Sequence, residues 1–333
     1  GLVELWADDV LRVRGSALFA LAHGCEAGRP DSVRTEVVDT LRDLLVCTDS
    51  TARFCAAFAA QWLGSDIASL GPLLASQASV ETDSGVRFTL AGALAAIGPR
   101  DAAVASCLEA LLDDADERVR AFAAGGQGLT TSPPATFVAR LRRSMADPEE
   151  SAHVRTSAAS SVAKYTTSEH AASTLTGLLK LRELFATSYS GESLLDAVGR
   201  VAAHAPTSAP GTSAREALQS AVDDADESTR LIAASGLVRI AAATRDAELC
   251  TQAIDELRTV LPRILVAAEQ QQPWPWLEVA RWAVPAMEAL VALTAWPEMG
   301  VEADELRPVF TALKRYRFAS TRTWAEDQLS RLR

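Results

Sequence analysis

The feature that most constrains this chain is a repeat. Segments beginning at Ala52 (ARFCAAFAAQWLG), Val86 (VRFTLAGALAAIG), Val119 (VRAFAAGGQGL), Val154 (VRTSAASSVAKY) and Thr229 (TRLIAASGLVRIA) each place an arginine second: Arg53, Arg87, Arg120, Arg155 and Arg230. Each places an alanine four residues after it, at Ala57, Ala91, Ala124, Ala159 and Ala234. A weaker copy, Val13-Arg14, precedes them, and the intervals from Arg14 to Arg155 are 39, 34, 33 and 35 residues. The 75 residues from Arg155 to Arg230 leave room for two units, the missing copy being Ser193 onward (SLLDAVGRVAAHA), with Leu195-Asp196 where the others have apolar-arginine. A unit of this size cannot bury its own apolar face, so units must stack on their neighbours. That replaces the two ordinary domains that a length of 333 residues would otherwise suggest.

Within each copy the apolar residues recur at helical spacing, as in Val86, Leu90, Leu94 and Ile97. A second apolar stretch lies upstream of the turn: DTLRDLLVCTD before Ala52, LEALLDD before Val119 and ALQSAVDD before Thr229. No stretch alternates with a period of two, so no sheet is predicted. The unit is helix, short acidic turn, helix. The turn Asp113-Asp114-Ala115-Asp116-Glu117 recurs as Asp223-Asp224-Ala225-Asp226-Glu227. Neither copy has the fixed glycine and distal glutamate of a calcium loop. Aspartate just before a helix accepts hydrogen bonds from its first N–H groups, which accounts for the cluster. Small residues such as Ala56, Ala57, Ala59 and Ala60 allow close helix approach, which suits a chain with only 6% aromatics. The expected fold is all-α, a single stack of about eight helix pairs over residues 1–333. Regular repeats fill 1–240, and a divergent tryptophan-rich set of repeats or cap fills 241–333.

The pattern D-x-x-V-R-x-x-A-A, best in Asp116 to Ala124, resembles the HEAT-repeat (armadillo-like) family of α-solenoids, in a bacterial type. The resemblance spans roughly Asp8 to Ile240 and implies a right-handed solenoid. It further implies a ladder between neighbouring repeats, to which Asp116, Arg120, Asp226 and Arg230 would belong; Arg53, Arg87 and Arg155 match the arginine position alone. The departure at Leu195-Asp196 interrupts that ladder.

Motifs of chemistry are sparse. Gly125-Gly126-Gln127-Gly128 lacks the strand before it and the Lys-Ser/Thr after it that a phosphate cradle needs, so a helix ending on a left-handed glycine is expected. Pro206 to Ser213 is expected to be an exposed loop. His23, His153, His170 and His204 show no metal-ligand spacing, and no G-x-S-x-G elbow is present. No metal and no cofactor are expected. Cys25, Cys47, Cys55, Cys107 and Cys250 have no C-x-x-C pair and are expected as thiols in a reducing compartment, the cytoplasm. No run approaches the roughly 20 apolar residues of a membrane span. A net charge of −11 argues against a polyanion-binding surface.

Five of the seven tryptophans lie near the C-terminus: Trp274, Trp276, Trp282, Trp296 and Trp324. Trp274 and Trp276 flank a proline in what reads as a loop. Lys314, Arg315 and Arg317 surround aromatic residues shortly after. Tryptophan and arginine are enriched at binding hot spots, so Trp274, Trp276, Arg281, Lys314, Arg315 and Arg317 are the candidate partner-binding residues. The expected function is a non-catalytic protein-interaction scaffold or a docking or sensor domain, alone or as one part of a larger protein, with a protein partner. The alternative is an enzyme on a HEAT-like scaffold, a base-excising DNA glycosylase or a bilin-attaching lyase.

Overall fold

The computed structural model describes residues 31–99, 102–125, 133–185, 190–224, 226–259, 261–269, 274–314 and 319–332. Among them every regular element is helical and no strand occurs. They gather into two compact units, Gly1–Ser161 with Tyr316–Thr323, and Val162–Arg315 with Trp324–Arg333.

The first unit contains α1 (Asp31–Leu45), α2 (Ser50–Leu63), α3 (Gly71–Val80), α4 (Ser84–Ile97), α5 (Ala102–Leu111), α6 (Glu117–Ala124), α7 (Ala135–Ala146) and most of α8 (Ala152–Tyr165). The second helices α2, α4 and α6 each start where an aspartate takes up free N–H groups. Asp49 accepts from Ala52 N at 3.0 Å, Asp83 from Gly85 N and Val86 N, and Asp116 from Arg118 N. Two layers result. The first helices α1, α3, α5 and α7 pack in series, and the second helices α2, α4 and α6 pack in another. The alanines do what small residues allow: Ala56, Ala57, Ala59 and Ala60 are all fully buried between the layers.

Arginine ties one turn to the next. Arg53 donates from Nε and Nη2 to the two carboxylate oxygens of Glu81, at 2.7 and 2.9 Å, while its Nη1 donates to the carbonyls of Cys47 and Thr48 in its own turn. Arg87 repeats this with Asp114 and the carbonyls of Glu81 and Thr82. Arg120 repeats it with Glu150 and the carbonyls of Asp114 and Ala115. The carboxylate of each rung also shapes its own turn: Asp116 N donates to Asp114, and Ser151 N to Glu150. The hydrogen bond from Arg53 holds Glu81 below the usual carboxylate range, and Arg120 does the same to Glu150. The cap aspartates are therefore not the rung carboxylates. Asp116 caps α6 and pairs with exposed Arg118, and the rung acceptor is the acidic residue one or two positions before the cap.

The second unit contains the end of α8, α9 (Ser168–Phe185), α10 (Ser190–Ala202), α11 (Ala209–Val222), α12 (Glu227–Thr244), α13 (Ala247–Arg258), α14 (Leu261–Glu269), α15 (Trp274–Leu293), α16 (Ala303–Leu313) and most of α17 (Ala319–Arg331). Here α10, α12 and α15 pack side by side, with α9, α11 and α13 against them. Asp226 caps α12, and Arg230 reaches Asp224 O and, at 3.4 Å, Glu256. Helices α10 and α12 touch through glycine: a Cβ on Gly199 would lie 2.6 Å from Gly236 Cα.

Two local expectations are corrected. Pro206 to Ser213 is not a loop throughout, because Ser208 caps α11 and Pro210 sits in its first turn, where a missing N–H costs nothing. Gly125 ends α6 with φ −78°, its N–H bonded to Ala121 O and Phe122 O, and the rest of the glycine run expected to cap this helix, Gly126-Gln127-Gly128, lies outside the described residues. Trp274 and Trp276 stand in the first turn of α15 rather than in a loop, with Pro275 tolerated there for the same reason as Pro210.

Two pairs of substitutions test this packing. Arg120→Ala strands Glu150 and two turn carbonyls, and costs on the order of 1–3 kcal/mol, whereas Arg42→Ala, which breaks an exposed pair with Asp39, changes stability by less than about 0.5 kcal/mol; urea midpoints measure both. Gly199→Ala would raise intrinsic helix propensity, yet overpacking against backbone should lower stability by about 1–3 kcal/mol. Gly236→Ala, whose Cβ first meets the yielding Leu218 side chain, should cost less; equal losses would show that the two helices are not held at this approach.

Candidate functional site

The second unit places isolated charges inside apolar helices. Asp196 and Arg200 lie one turn apart on α10. Arg239 on α12 sits between Val238, which is buried, and Ile240, which is also buried. Glu288 on α15 sits between buried Met287 and Ala289. A charge at such a position has to find a partner on a neighbouring helix, because burial of an unpaired charge is prohibitive.

The packing of α10, α12 and α15 supplies those partners. Arg200 contacts Asp196 from Nε and Glu288 from Nη2, both at 2.8 Å. Arg239 contacts the other Asp196 oxygen at 2.8 Å and Glu288 at 3.2 Å. Two cations and two carboxylates thus alternate around a closed ring. Arg239 Nη2 also donates to the carbonyl of Pro285 at 3.1 Å, and Trp324 Nε1 on α17 donates to Glu288 at 3.1 Å. Trp324 is buried and meets Phe310 edge to face, with centroids 5.4 Å apart. The ring joins three helices, Trp324 ties a fourth to it, and the ring side chains are only 10–23% exposed.

Burial alone would raise the Asp196 carboxyl; the Arg200 and Arg239 charges outweigh it and hold the group at about 2. Burial likewise opposes the Arg200 charge, and Asp196 and Glu288 reverse that and raise its pKa. Lys164, near the end of α8, is exposed.

The partner-binding residues nominated from sequence are not those of the ring. Trp274, Trp276 and Arg281 belong to α15, but their side chains are outside the described residues, as are Arg315 and Arg317. Lys314 is exposed and pairs with exposed Glu326 at 3.6 Å, a surface pair of small energetic consequence. Arg155 donates to Met145 O at 3.3 Å. Trp296 is buried under the Arg245 guanidinium, 5.2 Å from its ring centroid. The ring itself escaped nomination, although its signal was present: the aspartate where an arginine was due, and single charged residues inside apolar runs. Among the described residues no cluster of three His, Cys, Asp or Glu could hold a metal, and no helix is long and apolar enough to cross a membrane.

No protein-family model and no curated protein matches the chain. Similar solved structures include an engineered protein, at 16% identity over 99% of this chain and 98% of that one with a TM-score of 0.36. Another is Kap121p, at 13% identity over 98% of this chain and 42% of that one with a TM-score of 0.37. The helical-repeat description of each unit rests on its own helix order and packing.

The ring makes a pH prediction. Asp196 has a lowered folded-state pKa, so its contribution is present above the unfolded value near 4 and is lost as pH falls through about 2. Acidification from pH 4 to pH 2 should therefore cost the native chain about 2 kcal/mol more than it costs Asp196→Asn, read by chemical denaturation at each pH. Parallel curves for the two proteins would remove Asp196 from the ring.

Proposed function

We propose that the chain is a non-catalytic interaction module of HEAT-like helix pairs that docks a protein partner. The observation that supports this most is the state of the ring. Both oxygens of Asp196 are engaged by arginines, and Glu288 is engaged by Arg200, Arg239 and Trp324. Carboxylates held in this way are poor proton carriers, since each is turned toward a guanidinium. They are well suited to fixing the spacing of the second helices, and a rigid, pre-organised surface loses little entropy when a partner docks. The cysteine thiols fit a reducing compartment, the cytoplasm: burial raises the pKa of Cys107 and Cys250, which makes them unreactive packing groups.

The alternative, a HEAT-like DNA glycosylase or bilin lyase, has one observation on its side, the meeting of carboxylate, arginine and Trp324 in one cluster. It requires a carboxylate free to act, which the ring geometry opposes.

The nominated contact surface is the segment carrying Trp274, Trp276 and Arg281, with Lys314, Arg315 and Arg317. Affinity capture with the full chain, followed by reconstitution with the purified captured protein, tests it. Trp274→Ala/Trp276→Ala should weaken that reconstituted complex and leave the melting temperature within a few degrees of the native chain. Loss of a buried tryptophan costs about 3–5 kcal/mol, so a large fall in melting temperature would assign both residues to the core and withdraw the surface.

A further inference from the structure

The rung arginines allow successive repeats of the first unit to be compared position by position. On α6, Arg118 stands two residues before the rung arginine Arg120. It forks onto the cap aspartate, Nε to Asp116 Oδ1 at 3.1 Å and Nη2 to Asp116 Oδ2 at 2.6 Å. Its guanidinium also lies over the Phe88 ring of α4, 5.8 Å from the centroid. An arginine is thus seated between the cap carboxylate of its own helix and an aromatic ring on the second helix before it. One repeat earlier the carboxylate and the ring recur without the arginine. Asp83 caps α4, and Phe54 follows Arg53 on α2 as Phe88 follows Arg87 on α4. Gly85 stands where Arg118 would be.

Contacts at Gly92 show that the two pairs of helices pack in one register. A Cβ there would lie 2.7 Å from Gln61 Oε1 on α2 and 2.9 Å from Phe122 Cδ1 on α6. Counted from the rung arginine of its own helix, Gln61 is eight residues on, Gly92 five and Phe122 two. Each helix therefore meets the one before it at the same offset of three residues. The offset that sets Arg118 beside Phe88 sets Gly85 beside Phe54. The seat there is open. Phe54 is 38% exposed. Asp83 is exposed too; its Oδ1 accepts from Gly85 N and Val86 N, and it has no ion pair among the described residues. Among those residues, a Cβ on Gly85 would meet only Asp83 Oδ1, at 3.1 Å.

We propose that Asp83 and Phe54 receive one arginine side chain of the docked protein partner, in the seat that Arg118 fills one repeat later. The proposal rests on the interaction-module reading and names the chemistry that one of its surfaces recognises. A guanidinium is planar, so it can bond both oxygens of a carboxylate along one edge while its face covers a ring. A lysine ammonium is a point charge without that fork. Charge points the same way. The Asp83 carboxylate has no counter-ion among the described residues, and a chain with a net charge of −11 attracts a cationic segment. A nucleic-acid backbone would bring phosphates to a carboxylate and find no stripe of cations.

The test is selection of a displayed random peptide library on the full chain, with Gly85→Arg as the counter-target, followed by binding measurements with the purified peptides. Gly85→Arg supplies the guanidinium from the chain itself, so it should close the seat and melt no lower than the native chain. Peptides that bind the native chain and not this variant should share an arginine. Exchange of that arginine for glutamine should weaken binding on the order of tenfold, and exchange for lysine should weaken it less. Asp83→Asn keeps a capping side chain and removes the charge. It and Phe54→Ala should each weaken binding, with the melting temperature within a few degrees of the native chain. Gly85→Ala, which adds a Cβ without a guanidinium, should bind as the native chain does. The proposal is overturned if no peptide distinguishes the native chain from Gly85→Arg, or if the distinguishing peptides lack arginine. It is overturned equally if Asp83→Asn binds them as tightly as the native chain, if Gly85→Ala loses them as fully as Gly85→Arg, or if Gly85→Arg melts well below the native chain. Self-association of the native chain that Gly85→Arg abolishes, read by sedimentation, would assign the arginine to a second copy and overturn the partner. Peptides enriched alike on both proteins would sink this seat while leaving the interaction module standing, and capture at Trp274 and Trp276 tests that module separately.

Discussion

The first unit depends on one interaction, the arginine rung. Its guanidinium does two jobs with two edges. Nη1 gathers carbonyls of the turn that precedes its own helix, and the Nε/Nη2 edge grips a carboxylate in the next turn. Those carbonyls lie just past a helix C-terminus, where backbone acceptors lack intrahelical partners. A planar fork with donors on several sides can satisfy both sets at once, and a lysine ammonium cannot. The same geometry at Arg53, Arg87 and Arg120 means that each helix pair is registered on the next by a bond of defined direction, while the alanine-rich interior supplies the apolar burial.

The second unit uses arginine differently. At Arg200 and Arg239 the guanidinium sits inside a helix rather than at its start, and its partners are on neighbouring helices. Removing water from four charged side chains is costly, and a closed arrangement of this kind contributes less net stability than its contacts suggest. Its consequence is geometric. Asp196 and Glu288 each hold both arginines, so α10, α12 and α15 cannot slide past one another without exposing an unpaired charge. The glycine contact at Gly199 and Gly236 brings α10 and α12 close enough for Asp196 to reach Arg239.

Much of the local structure was legible in the residues. Aspartate before an apolar run marked the starts of α2, α4, α6 and α12, and the repeated arginine marked the same positions as special. Less legible was what the arginine held. Its carboxylate lies 27 to 30 residues further on in the first unit, and in each acidic turn two to four carboxylates compete for the part. Asp114 and Asp116 are near neighbours, yet one forms a rung and the other caps a helix. At Leu195-Asp196 the sequence showed a broken pattern and nothing of its purpose, because the pattern describes one helix and the partners of Asp196 stand on two.

The sequence by itself determined the units: two helices, an acidic turn, an arginine at the start of the second helix, and interiors lined with small side chains. These follow from short-range rules of periodicity, capping and residue size, which act within about one turn of the chain. The tertiary structure decided which carboxylate meets which arginine, and that Asp196, Arg200, Arg239 and Glu288 form a ring. Arg239 and Glu288 are 49 residues apart in the chain. Their meeting is set by how far one helix is displaced against its neighbours, a quantity fixed by the sum of all the packing contacts and by no single residue.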